Sequence, residues 1–250
     1  YSEQVDVLHS KTISTAAKIT ETKVLQWADI LTTDSKIVKK MYKEKSNVDF
    51  EFFYAPLDIK KFKKLKNIEK KEKQIIFIGR NSYEKGIDIL RGIESKINAK
   101  IIYCTDMKWE EAMENLKASS ILVVPSRMES IPQVIKEAFY LKIPVVATDV
   151  GGISELVEHN QTGILVPSQN PEKLKIAIND LLENFELQEI LKENAYNFIL
   201  ENFTWEKLLP KYIKFYNNLI DLAKEVDTLC IITPGGKETE KLINQKVLQS

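Results

Sequence analysis

Three short segments of this chain combine residue types that could do chemistry at spacings that suit an anionic ligand. The first is Gly79-Arg80 followed by Asn81, Tyr83 and Glu84-Lys85-Gly86, directly after the apolar run Ile75-Ile76-Phe77-Ile78. Two cations beside a glycine turn and a helix start suit a pyrophosphate, because guanidinium, ammonium, exposed backbone N–H groups and the helix dipole all favour negative charge. A surface turn with incidental charges is the competing reading. The second is Pro125-Ser126-Arg127-Met128-Glu129-Ser130-Ile131-Pro132, again after an apolar run, with a helix expected from Pro132 through Glu137 to Tyr140. Proline in a first helical turn leaves neighbouring N–H groups free for phosphate or sugar oxygens. Glu137, inside that helix, could accept bonds from a vicinal diol such as a ribose presents; a solvent-facing glutamate is the ordinary alternative. The third is Thr148-Asp149-Val150-Gly151-Gly152-Ile153-Ser154-Glu155, where paired glycines permit close backbone approach to a ligand or to a neighbouring strand.

These segments need a scaffold that brings them together. From Gln74 onward, short apolar strands alternate with longer amphipathic helices, which marks a parallel sheet wound with helices on both faces. Strands are expected at 75–78, 100–103, 121–124, 144–147 and 163–166, and helices at 87–97, 109–117, 133–141, 152–158, 171–184, 187–201 and 205–224. Such sheets bind ligands beyond the carboxyl ends of their strands, where the connections diverge. Each of the three segments falls at such an end, on a different strand.

Upstream, residues 14–30 have a helical apolar pattern, Thr32 to Ser35 should cap a short helix through Tyr42, and 49–54 reads as a strand. Residues 60–73 are rich in lysine and poor in periodic apolar residues, which favours a solvated linker over a binding arm. The domain reading is therefore a remnant of an N-terminal domain at 1–57, a Lys-rich linker at 58–73, a Rossmann-like domain at 74–224 and a tail at 225–250. Within that tail, Thr228 to Gly236 and the polar stretch to Ser250 resemble the start of another α/β segment. The chain begins with Tyr1, which suggests a fragment of a larger protein.

Composition bounds the partners. With 250 residues, 44% of them hydrophobic, the chain can bury a large core, and 36 basic residues balance 36 acidic ones. No global charge argues for nucleic acid, so any anion must be held locally. Cys104 and Cys230 lie in apolar runs without metal-ligand spacing and read as reduced thiols. Nothing supports His9 or His159 as catalytic. No apolar run has the length of a membrane helix and no signal peptide is visible, so the expected compartment is cytoplasmic.

The same residues resemble the retaining family 4 glycosyltransferases, whose two Rossmann-like domains face each other across a cleft in the GT-B architecture. The resemblance covers about residues 74 to 220. It rests on Phe77-Ile78-Gly79-Arg80 with Glu84-Lys85-Gly86, on Val124-Pro125-Ser126 with Glu129-Ser130-Ile131-Pro132-Gln133-Val134-Ile135-Lys136-Glu137-Ala138, on Pro144 to Thr148 with Val150-Gly151-Gly152-Ile153 and Glu155, and on Asn160 to Pro167. It implies an α/β fold that is the C-terminal, nucleotide-sugar-binding half of GT-B, with most of the N-terminal domain absent. Arg80 and Lys85 would hold the donor diphosphate and Glu137 the ribose hydroxyls. Glu129 would approach the transferred sugar, and the backbone of Ser130, Ile131, Pro132 and Gln133 would contact sugar or phosphate. Glu129, Arg80 and Lys85 would then serve catalysis, because departure of a nucleoside diphosphate builds negative charge that fixed cations stabilise. The substrate would be a nucleotide diphosphate sugar and the acceptor a glycan, lipid or small molecule, with hexosyl transfer expected. No further cofactor is required, and the absence of any Asp-x-Asp pair agrees with metal-free chemistry. Peripheral membrane contact through the missing domain stays open. Nothing in the motifs favours an epimerase- or phosphorylase-like protein; a non-catalytic nucleotide-binding or scaffolding module on the same half-fold is the competing class.

Overall fold

A computed structural model describes residues 30–222 together with Ile19, Lys23, Leu25, Trp27 and Ala28. The expected tail segment from Thr228 onward, Cys230 and His9 lie outside the described residues, as does most of the expected helix at 14–30. In chain order the regular elements are β1 (Thr32–Thr33), α1 (Lys36–Ser46), β2 (Glu51–Phe52), β3 (Gln74–Ile78), α2 (Ile87–Ile93), β4 (Lys100–Cys104), α3 (Trp109–Ala118), β5 (Ile121–Val124), α4 (Gln133–Tyr140), β6 (Val145–Thr148), β7 (Ile164–Val166), α5 (Pro171–Glu183), α6 (Phe185–Asn202) and α7 (Trp205–Leu222). Short 3-10 turns at Lys61–Lys64, Tyr83–Lys85, Glu94–Lys96 and Gly151–Glu155 fill gaps between them. The chain divides into two compact units, residues 56–205 and residues 1–55 with 206–250.

The larger unit is a five-stranded parallel sheet in the order β4-β3-β5-β6-β7. Its central strands read Gln-Ile-Ile-Phe-Ile, Ile-Leu-Val-Val and Val-Val-Ala-Thr and are buried almost throughout, as strands covered on both faces must be. Alternate side chains serve the two faces. Ile75, Phe77, Ile121, Val123 and Val146 join Leu90 of α2 and Leu174 and Ile178 of α5 in one core. Ile76, Leu122 and Val145, equally buried, point to the other face, where α3, α4 and α6 pack. The buried Gln74 side chain is satisfied by donating to Ser119 Oγ at 3.1 Å.

The strand order carries the functional consequence. From β3 the chain crosses through α2 to β4 on one side, then returns through α3 to β5 on the other side of β3. Connections diverge at the carboxyl ends of β3 and β5, and that divergence opens a crevice. Three elements meet at this point: the Gly79–Gly86 turn, the 125–132 loop and the start of α4. Helices α1, α5 and α6 start under side-chain caps from Ser35, Asn170 and Asn184. By contrast α2, α3 and α4, which follow β3, β4 and β5, start with no side-chain cap. Their first N–H groups lack intrahelical acceptors and lie at the same edge of the sheet.

Several local expectations change. The helix expected at 152–158 is only the 3-10 turn Gly151–Glu155, because the two glycines are pressed against the preceding loop and the backbone there follows that contact. The helix expected at 87–97 ends as α-helix at Ile93 and finishes as 3-10. The Lys-rich stretch exposes its lysines, yet it runs along the sheet unit: Phe62 is buried, and Lys71 N–H donates to Ala118 O at 2.8 Å.

In the smaller unit β1 pairs in parallel with β2, so Thr32 and Thr33 form a strand and Ser35 alone caps α1, its Oγ accepting from Val38 N–H at 3.2 Å. The strand expected at 49–54 is reduced to two residues because Phe53 and Tyr54 instead pack on the apolar stripe of α7 formed by Leu208, Tyr212, Phe215 and Tyr216. Tyr212 OH donates to Tyr54 O at 3.0 Å. That stripe groups 206–222 with the N-terminal residues rather than with the sheet.

Candidate functional site

The turn after β3 and the loop after β5 are built to touch. Gly86 has φ +67° and lies so near Pro125 that a Cβ would stand 2.0 Å from the Pro125 carbonyl oxygen. Gly151, at φ +53°, would place a Cβ 1.8 Å from Glu129 O, and Gly152 one 2.3 Å from Ser130 O. No side chain fits at these three positions, so glycine is what allows three loops from three strands to close on one another. The paired glycines thus serve backbone against backbone.

Two main-chain bonds join the first two loops: Arg127 N–H donates to Glu84 O at 2.8 Å and Met128 N–H to the same oxygen at 3.4 Å. The Arg127 side chain adds a fork to both Asp88 carboxylate oxygens at 2.7 Å each, a bond to Tyr83 O at 2.7 Å, and a stack on the Tyr83 ring at 3.9 Å. The Arg127 guanidinium holds the Asp88 carboxyl below the usual carboxylate range. From the third loop Thr148 Oγ1 donates to Ser126 O at 2.5 Å. Sequence reasoning included Arg127 in its segment without giving it a role. The mate it finds, Asp88, is 39 residues away and carries no motif of its own.

Inside this frame the Lys85 ammonium donates to Glu129 Oε1 at 2.7 Å, and Ser126 Oγ donates to the same oxygen at 2.8 Å. The pair is largely withdrawn from water, with the Lys85 side chain 23% and the Glu129 side chain 9% exposed. Burial makes this pairing far more constrained than a surface ion pair, because neither partner keeps a full hydration shell. Glu129 Oε2 accepts none of these bonds. Arg80 stands at the rim, its side chain 75% exposed and donating to Glu84 at 3.1 Å. Ser130 and Gln133 are exposed beside it, whereas Ile131 and Pro132 are buried and anchor the loop from below. Arg80, Lys85, Glu129 and Ser130–Gln133 thus gather at the carboxyl edge of β3 and β5.

Glu137 lies one turn into α4 and half-buried. The Trp109 indole N–H donates to its Oε1 at 2.7 Å. Burial pushes the Glu137 carboxyl above the usual carboxylate range, against the opposing pull of the Trp109 bond and of the Lys136 and Lys61 charges. Residue order identifies Trp109 only as a helix start; an aromatic at the N-terminus of the helix after β4, with no capping residue before it, is the signal it offers. Cys104, at the end of β4, is buried and its thiol is pushed up to about 11 by that burial, which makes it an inert core group. His159 Nδ1 accepts from Leu165 N–H at 3.1 Å, a structural turn contact. Among the described residues no group of three His, Cys, Asp or Glu side chains is placed to hold a metal ion. Among them, too, no helix is long and apolar enough to cross a membrane. An open depression bordered by Asn98, Asn179, Glu183 and Phe185 lies beside the amino-terminal end of β4, away from these groups.

With this geometry established, the chain can be set beside known proteins. Residues 93–198 match the family model of the group 1 glycosyl transferases. The matched stretch contains Glu129 and Glu137 and stops short of Arg80 and Lys85. An uncharacterized glycosyltransferase of Methanocaldococcus jannaschii is 24% identical over 257 residues, covering 89% of this chain and 66% of that protein. N-acetyl-alpha-D-glucosaminyl L-malate synthase of Bacillus anthracis is 25% identical over 197 residues, covering 68% and 52%. The chain spans about half to two thirds of the length of these relatives. Among solved structures, sucrose-phosphate synthase of Thermosynechococcus elongatus superposes with a TM-score of 0.70 at 20% identity, covering 82% of this chain and 61% of that one. HepE of Anabaena, crystallised with UDP-glucose, superposes with a TM-score of 0.68 at 16% identity, covering 82% and 68%. The fold is the Rossmann-like half of a GT-B protein. The family match covers residues 93–198, and the neighbours agree on the fold.

Proposed function

We propose that this chain supplies the donor-binding half of a glycosyltransferase that moves a sugar from a nucleoside diphosphate to a glycan, lipid or small acceptor, with retention at the anomeric carbon. The observation that carries the proposal is the Lys85–Glu129 pair at the point where the sheet's connections diverge: one cation and one carboxylate, neither placed for solvent, on loops from neighbouring strands. Lys85 and Arg80 offer the positive charge a diphosphate needs, and the N–H groups at the uncapped start of α4 add partial charges of the same sign. Glu129, on the same loop as Ser130 to Gln133, accepts sugar hydroxyls. Glu137, deeper in α4, accepts from the ribose diol.

Transfer breaks the bond between the anomeric carbon and the diphosphate oxygen, and the electron pair leaves with the phosphate. The cations of Lys85 and Arg80 act on the charge that grows there, and they gain most at the transition state, where that charge is developing. The acceptor hydroxyl forms the new bond and passes its proton to the departing diphosphate oxygen, which balances the step. The donor assignments of Arg80, Lys85, Glu129, Ser130–Gln133 and Glu137 belong to the same proposal.

Thermal shift with UDP, GDP, ADP and their sugars tests it, because a ligand that binds the folded state raises the midpoint by mass action. A rise with one base and a further dependence on the attached sugar is expected. No shift with any nucleoside diphosphate at millimolar concentration sinks the reading.

A further inference from the structure

The carboxylate deepest in the crevice is not free to turn. Glu137 Oε1 accepts the Trp109 indole N–H at 2.7 Å, while Oε2 accepts no hydrogen bond among the described residues. Trp109 is itself fixed. It is half-buried at the first position of α3, and the buried Phe62 meets its ring edge-on at 5.2 Å and 77°. Phe62 also packs on Tyr140, one turn beyond Glu137 on α4, with centroids 4.7 Å apart. The Lys-rich stretch, α3 and α4 therefore meet in one aromatic brace around a single carboxylate.

We infer that Trp109 is a positioning residue for nucleotide recognition: its indole N–H holds Oε1 of Glu137, so that Oε2 is presented to the vicinal diol of a ribose. The inference rests on the donor-site reading above. A carboxylate with both oxygens able to rotate loses orientational freedom on binding a diol; one already tied at Oε1 does not, and preorganisation of that kind lowers the cost of binding. An indole is suited to the task because it donates one hydrogen bond and accepts none, so it cannot compete with the ribose hydroxyls as an acceptor. It also favours the ionised carboxylate against burial. The charged groups facing Glu137 act in the same direction: Lys136 from its own helix and Lys61 from the stretch that carries Phe62.

The test compares Trp109→Phe with the parent, since phenylalanine keeps the ring contact with Phe62 and removes the donor. Affinities for UDP, GDP and ADP and for their 2′-deoxy forms are measured by calorimetry between pH 5 and 8, together with inorganic pyrophosphate. The parent should prefer the ribo form by about tenfold, the worth of a hydrogen bond to a charged group. Trp109→Phe should lose most of that preference and keep its pyrophosphate affinity, because Lys85 and Arg80 stand on another loop. The ratio of ribo to deoxy affinity also reports titration of Glu137 with the phosphate's own protonation cancelled. Without the indole the carboxyl rises further, so the preference should fade at higher pH in Trp109→Phe than in the parent, a change that loss of packing alone does not produce. Where Trp109→Phe does not fold, Trp109→Leu, which also removes the donor, is read in the same way, whereas Trp109→His, which keeps a ring N–H, should retain a measurable preference. A variant that folds, has no side-chain N–H at position 109 and keeps the parental ratio overturns the inference while leaving the donor site standing. A parent that binds the diphosphates without preferring ribose overturns it as well. A parent that binds none of them removes the donor-site reading and the inference together.

Discussion

Lys85 Nζ and Glu129 Oε1 lie 2.7 Å apart although 44 residues separate them in the chain. The contact joins the turn after β3 to the loop after β5, and it sets the first prediction. Removing one partner strands the other in a site with little water, so Lys85→Met should destabilise the fold by about 1.5–3 kcal/mol, the worth of a charged hydrogen bond. The double variant Lys85→Met/Glu129→Gln should cost less than the sum of the two single changes, because the stranded charge is gone. Urea unfolding of the four proteins checks this; strict additivity refutes the pairing. Nucleoside diphosphate affinity should fall with Lys85→Met in either background.

The glycines make a sharper structural prediction. Gly151→Ala demands a left-handed conformation from alanine and places its Cβ against the Glu129 carbonyl oxygen, so the loop that carries Glu129 must move. Gly86→Ala does the same at Pro125. Both variants should lose nucleotide binding and unfold at lower urea than the parent. Gly92, inside α2 with no atom within 4 Å of a Cβ, is the control. There alanine should stabilise by about 1 kcal/mol, the helix-propensity difference. A stable, binding-competent Gly151→Ala would falsify the account of loop closure.

Glu137 should trade stability for function. Its folded carboxyl lies above the unfolded value because burial penalises the charge. The native state therefore holds its proton to higher pH than the unfolded chain does, and stability declines as pH rises from the unfolded value, 4.5, through the raised folded one. Glu137→Gln removes that penalty and still offers the indole an acceptor. The variant should unfold at higher denaturant than the parent at pH 8, with the gap closing toward pH 4, and should bind nucleotide more weakly. A gap of the same size at both pH values counts against the assignment.

Arg127 gives a prediction about geometry. Arg127→Lys keeps the charge and loses both the two-pronged contact with Asp88 and the flat stack on Tyr83. Transfer should slow with little change in the thermal midpoint, since Asp88 is more than half exposed. Asp88→Asn should copy that effect in part. Steady-state kinetics with the donor identified by thermal shift decides it, and an unchanged rate in both variants shows that the turn holds its place without them.

Much of this architecture was legible from residue order alone. Strands at 75–78 and 121–124 came out within a residue of β3 and β5, because a buried parallel strand must be apolar on both faces and few other segments in the chain satisfy that. The location of the candidate segments was legible for a related reason: Arg80, Lys85 and Glu129 lie in the turns that follow such strands, where a wound sheet places its ligand edge. Periodicity also located α4, and with it the position of Glu137.

Other features were settled only in three dimensions. Residue order put the Lys-rich stretch outside the folded domain, yet Phe62 turns it inward, since one large aromatic side chain outweighs the pull of its charged neighbours toward water. It read 152–158 as a helix, and contact between Gly151–Gly152 and the Glu129–Ser130 backbone holds it to a 3-10 turn. Most of all, chain order could name Lys85, Glu129, Trp109 and Glu137, but not pair them. A strand's apolar pattern states that it is buried and says nothing about which strand lies beside it. The order β4-β3-β5 places the two loops together, and the packing of α3 beside α4 brings the indole to the carboxylate.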